Sequence, residues 1–151
     1  MQRFQGNALR RGRFSEADRI YLLTTVTHQR RRLFGELDVG RQVVEQLREV
    51  QETGLARTLC WVLMPDHLHW MVQLQTGSLE QLMQRFKSRS AKSVNAFLGS
   101  SGQVWQKGYH DRTVRTEEDL RALARYVVTN PLRAGLVRRV GDYPLWDAIW
   151  L

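Results

Sequence analysis

Apolar positions recur along this chain at two spacings, every second residue and every third or fourth, and their order predicts the elements. Arg19 to Thr27 (RIYLLTTVT) is rich in β-branched and aromatic residues and predicts a first strand. Leu37 to Gln51 spaces Leu37, Val39 or Gly40, Val43, Val44 and Leu47 at helical intervals, with Gly54 as a C-terminal stop. Leu55 to Met64 predicts a second strand, Pro65-Asp66 a tight reversal, and His67 to Leu74 a third. Ser78 is placed to cap a second helix with Gln81 completing a capping box, and Leu79, Leu82, Met83, Phe86, Val94, Phe97 and Leu98 form its apolar face. Gly99 to Gly102 ends that helix. Val104 to Arg115 predicts a fourth strand, irregular at Lys107-Gly108.

The order β-α-β-β-α-β predicts an α+β protein with a ferredoxin-like antiparallel sheet, both helices on one face and the other face free for function. A third helix is predicted from the cap Thr116, with Asp119 at the third position, to about Thr129 before Pro131. Its apolar stripe is Leu120, Leu123, Ala124, Val127 and Val128. At a helical pitch Tyr126 falls about 130° from the centre of that stripe and Asn130 about 90° from it. Both leave the buried side, one turn apart, so they can address one cleft together.

Length bounds the organisation to a single domain over 1–151, with an N-terminal arm at 1–18, a core at 19–137 and a tail at 138–151. The tail's PLWDAIWL either closes the core or forms an interface. The single cysteine, Cys60, leaves no intramolecular disulfide and no Cys-based zinc cluster, which suits a reducing compartment. Without a leader pattern or an apolar run near membrane-span length, the expectation is a cytoplasmic protein with no membrane partner.

Charge adds a partner class. The formal net charge is +8, and it is concentrated. Residues 1–35 carry arginines at 3, 10, 11, 13, 19, 30, 31 and 32 against Glu16 and Asp18; residues 85–115 carry Arg85, Lys87, Arg89, Lys92, Lys107, Arg112 and Arg115 against Asp111 alone. Two basic segments on a body that is otherwise net negative form an electrostatic footprint for a polyanion, most simply nucleic acid. Arg10, Arg11, Arg13, Arg30 and Arg31 from the first segment are candidate DNA contacts. The second segment contributes Arg85, Lys87, Arg89, Lys92, Lys107, Arg112 and Arg115, with Trp105 as a stacking surface.

Candidate chemistry lies at the start of the third strand. Side chains alternate along a strand, so His67 and His69 leave one face while Leu68 and Trp70 leave the other. Two neutral imidazoles aimed at one point supply half of a divalent-metal site, and an amide such as Asn130 would complete an oxygen-tolerant set suited to Mg²⁺ or Mn²⁺. Tyr126, one turn before Asn130, would then stand beside the metal. A phenol is a poor nucleophile at neutral pH, but a cation that polarises a phosphate removes much of that handicap. Tyr109, in a strand-like aromatic segment, is the rival nucleophile. Tyr21 and Tyr143 read as structural.

Three blocks in this order, Met64-Pro65-Asp66-His67-Leu68-His69, Trp105-Gln106-Lys107-Gly108-Tyr109-His110-Asp111 and Tyr126 to Val137 (YVVTNPLRAGLV), closely resemble the REP-associated tyrosine transposases. These are single-tyrosine members of the HUH group, similar to small single-strand insertion-sequence transposases. Leu9 to Ser15 and Tyr21 to Phe34 share the likeness, so it covers nearly the whole chain. The resemblance implies a metal-dependent single-stranded DNA endonuclease and strand transferase acting at repetitive extragenic palindromes. It implies His67 and His69 as metal ligands, Asn130 at a third-ligand position where smaller relatives often carry glutamine, and Tyr126 as the nucleophile. It also implies a 5′-phosphotyrosine intermediate, a free 3′-hydroxyl, no nucleotide cofactor, and recognition of a guide tetranucleotide by the arm from Arg10 to Ser15. Relatives include monomers and homodimers.

Two other readings remain at this point. A non-catalytic binder on the same scaffold would hold hairpin or single-stranded nucleic acid by charge and by exposed aromatics such as Trp70, Trp105 and Tyr109. A metal-dependent phosphoesterase using bound water would cleave without a covalent adduct.

Overall fold

The computed structural model describes residues 3–5 and 19–149. Six strands make one antiparallel sheet: β1 (Arg3–Gln5), β2 (Ile20–Val26), β3 (Ala56–Met64), β4 (His67–Leu74), β5 (Tyr109–Val114) and β6 (Trp146–Ala148), in the spatial order β1-β5-β2-β4-β3-β6. The inner four follow the ferredoxin-like order, and β1 and β6 extend its two edges. Helix α1 (Leu37–Thr53) turns Val39, Val43, Leu47 and Val50 inward and ends where Gly54 takes a φ of 76°. Helix α2 (Leu79–Leu98) begins with the predicted capping box: Ser78 accepts from the Gln81 amide and the Gln81 side chain accepts from the Ser78 amide. Glu49 of α1 takes both Arg85 and Arg89 of α2, and Gln46 bonds Ser93.

The faces of the sheet follow from register. Trp70 of β4 meets Phe86 of α2 with ring centroids 4.9 Å apart, so Leu68, Trp70 and their cross-strand partners Leu23, Leu63 and Trp61 face α1 and α2. The aromatic row continues from Phe86 to Trp105 and on to Phe34, at 6.2 and 5.4 Å. All four rings are buried, and burial of each contributes roughly 1.5–3 kcal/mol. The indoles inside this layer find partners: the Trp105 indole donates to Ser90 Oγ, which donates to the Phe86 carbonyl, and the Trp70 indole donates to Thr58 Oγ1.

Two expectations change, and one open choice is decided. The fourth strand is shorter than Val104 to Arg115, because Gly108 turns the chain with a φ of 76° and Lys87 ties that turn down, donating to the carbonyls of Gln106 and Gly108 at 2.6 and 2.7 Å. Trp105 contributes only an isolated bridge to Thr27. The tail closes the core: β6 pairs with β3, Tyr143 donates to the buried Leu63 carbonyl at 2.6 Å, and Leu145 fills the space that the missing side chain of Gly40 leaves. The second face of the sheet is not wholly free either. Helix α3 (Glu117–Val128), continued by the single turn α4 (Asn130–Arg133), lies on it.

Candidate active site

The Pro65-Asp66 turn is fixed by its neighbours, which sets where β4 begins. Thr27 donates from its amide and its hydroxyl to the Asp66 carbonyl at 2.9 and 3.1 Å, and the Phe34 amide donates to Pro65. From that turn His67 and His69 project together on the face opposite α1 and α2, ring centroids 4.8 Å apart and planes at 82°. Each Nδ1 is already engaged. Asp66 Oδ1 lies 2.7 Å from His67 Nδ1, and Thr24 Oγ1, directly across the β2–β4 ladder, lies 2.8 Å from His69 Nδ1. A carboxylate only accepts, so the His67 proton sits on Nδ1 and the Nε2 lone pair is left available.

Arg30 completes the turn, donating to Asp66 Oδ2 at 3.2 Å. Its backbone and that of Gln29 hold φ of 51° and 57°, a left-handed pair without glycine that costs energy and is held in place by the surrounding bonds. Partial burial would raise the Asp66 pKa, but the hydrogen bonds and charges of His67 and Arg30 outweigh it and keep the carboxyl below its usual range. Burial pushes His69 down to about 3, with the neighbouring His67, Arg133 and His110 acting in the same direction. His69 therefore stays neutral, as a metal-binding imidazole must be. An unfolded histidine takes a proton near pH 6.5, whereas this one refuses it until about 3. The unfolded state thus binds more protons across that window, and stability should fall as pH drops from 6.5 toward 3. Urea unfolding across this range is expected to show that loss, and His69→Gln to remove part of it; a parent curve flat in this range would contradict the buried neutral imidazole.

Tyr126 approaches from the other side. Thr116 caps α3 by accepting from the Asp119 amide, and Leu123, Ala124 and Val127 bury the helix against the sheet. Tyr126 stays 44% exposed while its ring stands 5.7 Å from that of His69, planes at 69°. Asn130 follows across a junction that keeps right-handed dihedrals (Thr129 φ −90°, ψ 0°), so it remains on the same side of the helix as Tyr126. Tyr109, the rival, is buried under α2 and distant from this face.

The donor set fits a divalent cation in part. Two imidazoles converge with both Nδ1 atoms engaged, yet among the described residues no three His, Cys, Asp or Glu side chains gather in metal-binding geometry. A sequence model of IS200-like transposases matches residues 17–130. The chain belongs to the IS200-like transposase family. A REP-associated tyrosine transposase of Escherichia coli K12 is 29% identical over 86 residues, covering 56% of this chain and 49% of that protein. A Haemophilus influenzae protein given the same description provisionally is 26% identical over 99 residues, 58% of this chain and 56% of its own. The chain thus matches about half the length of these curated relatives. Among solved structures, a REP-associated tyrosine transposase bound to a REP hairpin superposes with a TM-score of 0.74 at 20% identity, covering 89% of this chain and 79% of that one. That likeness is one of fold.

Within this transposase fold the basic residues divide. Arg112 lies on β5 on the histidine face, since Arg112 pairs with Leu22 and His110 with Thr24. Lys92, Lys107 and Arg115 are exposed. Arg31 is occupied by the Gln103 carbonyl at 2.5 Å. Lys87 is half-buried and tied to the Gln106 and Gly108 carbonyls, and Arg85 and Arg89 share Glu49. Arg10, Arg11, Arg13 and Ser15 lie outside the described residues. Trp70, Trp105 and Tyr109 are all buried, so none offers a ring to a base; the stacking role expected for Trp105 does not hold. Sequence reasoning missed Thr24, Asp66 and Arg133. Asp66 adjoins the histidines and was legible as a carboxylate beside them, whereas Thr24 reaches His69 only through strand register. Among the described residues no helix is long and apolar enough to cross a membrane.

Proposed function

We propose that this chain is a metal-dependent single-stranded DNA endonuclease and strand transferase acting at REP-type hairpins in the cytoplasm, with residues 19–137 as its working core. The observation that carries the reading is the Tyr126 ring on His69, beside His67, in a chain of a transposase family. Tyr126 is the nucleophile. Its phenol oxygen bonds to phosphorus as the P–O3′ bond breaks, leaving a 5′-phosphotyrosine and a free 3′-hydroxyl; a second 3′-hydroxyl attacking the same phosphorus releases the tyrosine and joins the strands.

His67 and His69 through Nε2, with the Asn130 amide, are the residues that would hold Mg²⁺ or Mn²⁺. Bound there, the cation would polarise the phosphate and favour the phenolate. Asp66 holds His67 in its tautomer and orientation, and Thr24 holds the orientation of His69. Family membership and the two converging imidazoles support cleavage over binding alone, and Trp70, Trp105 and Tyr109 are buried and offer no ring to a base. Incubating the protein with a single-stranded hairpin and Mn²⁺ should give a denaturation-resistant adduct. Cleavage without an adduct would point to attack by water, and binding without cleavage to a passive module.

Hairpin affinity should fall steeply with salt through counterion release. Replacing Arg112 and Arg115 together by glutamine should weaken binding and lower the salt slope by about one per lost phosphate contact. An unchanged slope would put the strand away from β5.

A further inference from the structure

We propose that Arg133 is the positioning residue of the tyrosine site, a claim that rests on Tyr126 being the nucleophile. Tyr126 is nearly half exposed on a helix surface, where a side chain ordinarily exchanges rotamers within nanoseconds. A nucleophile that wanders loses the advantage of pre-alignment. Arg133 supplies a restraint: its guanidinium carbon lies 4.2 Å from the Tyr126 ring centroid, stacked on the face of the ring.

The guanidinium is itself held. Nη2 donates to the Tyr126 carbonyl, and Nη1 donates to Thr129 Oγ1 at 2.5 Å, while that hydroxyl donates to the Arg125 carbonyl. The backbone brings it there. Pro131 is buried at the start of α4 and lacks the N–H a continuous helix would use, the Leu132 and Arg133 amides both turn back to the Thr129 carbonyl, and Gly135 ends the turn with a φ of 73°. Arginine side chains lean toward the helix N-terminus, so Arg133 reaches back seven residues to Tyr126. Two of its five N–H donors are used in these bonds, and the remainder can meet an anionic oxygen.

The test compares Arg133→Gln and Arg133→Lys with the parent in single-turnover cleavage of a REP-type hairpin oligonucleotide with Mn²⁺, alongside hairpin affinity and NMR of ring-labelled tyrosine. Arg133→Gln should slow cleavage by about 100-fold with affinity within about threefold, and should move the Tyr126 ring resonance, assigned with Tyr126→Phe, to the position of a freely rotating tyrosine. Lysine keeps the charge but lacks the planar fork, so Arg133→Lys should remain at least about 10-fold slow. Parental cleavage in Arg133→Gln, full recovery in Arg133→Lys, or a Tyr126 ring resonance that does not move would each overturn the proposal. Should Arg133→Gln fail to fold, Thr129→Val removes only the hydroxyl that holds Nη1, and a parental rate there overturns it equally. If the parent itself forms no adduct on Tyr126, the nucleophile assignment fails, and the ring resonance still decides whether the clamp exists.

Discussion

Tyr126→Phe is expected to fold, to bind hairpin DNA within a few fold of the parent, and to form no covalent adduct at all. The substitution removes one oxygen and keeps the ring whose edge meets His69 and whose face carries Arg133, so packing and charge are retained. What disappears is the atom that bonds to phosphorus. Tyr109→Phe should leave adduct formation intact, because that ring is buried on the α2 side of the sheet and cannot meet a phosphate held at the histidines. Peptide mapping of the trapped adduct reads the answer directly. DNA on Tyr109, or an adduct persisting in Tyr126→Phe, would break the assignment.

Loss of either imidazole should be nearly as severe. His67→Ala or His69→Ala is expected to abolish cleavage and to leave no measurable Mn²⁺ binding by calorimetry, with hairpin affinity changed only a few fold. The reason is the count of donors: the centroids of the two imidazoles stand 4.8 Å apart, among the described residues no third His, Cys, Asp or Glu joins them in metal-binding geometry, and an alanine offers no ligand. Asp66→Asn makes the useful contrast, since it leaves both imidazoles and weakens the acceptor that orients His67, along with the ion pair to Arg30, for an expected loss of about 10–100-fold in metal affinity or rate. Both alanine variants cleaving like the parent would remove the metal from the mechanism.

The sequence by itself determined the elements and their order. Helix caps and stops are local chemistry, so Ser78 with Gln81, Thr116 with Asp119, and the left-handed glycines 54 and 99 stand where the pattern puts them. Alternation along a strand is local as well, which is why the shared face of His67 and His69 was legible. Helical angle took Tyr126 off its apolar stripe for the same reason. What only the tertiary structure decided is everything set by contacts distant in sequence. Thr24 meets His69 across 45 residues because two strands pair in one register. Lys87 became a structural tie because the turn at Gly108 offers two carbonyls to its ammonium, and Trp105 left the surface because Phe34, Phe86 and Ser90 enclose it. Composition counts a lysine as charge and a tryptophan as a stacking ring; whether either reaches solvent depends on which surfaces the folded chain closes over it. The tail was equally undecided until β3 offered an open edge and the Leu63 carbonyl an acceptor for Tyr143. The placement of α3 on the histidine face, which brings Tyr126 to His69, is the same kind of fact: periodicity tells which side of a helix is apolar, and only packing tells which side of the sheet receives it.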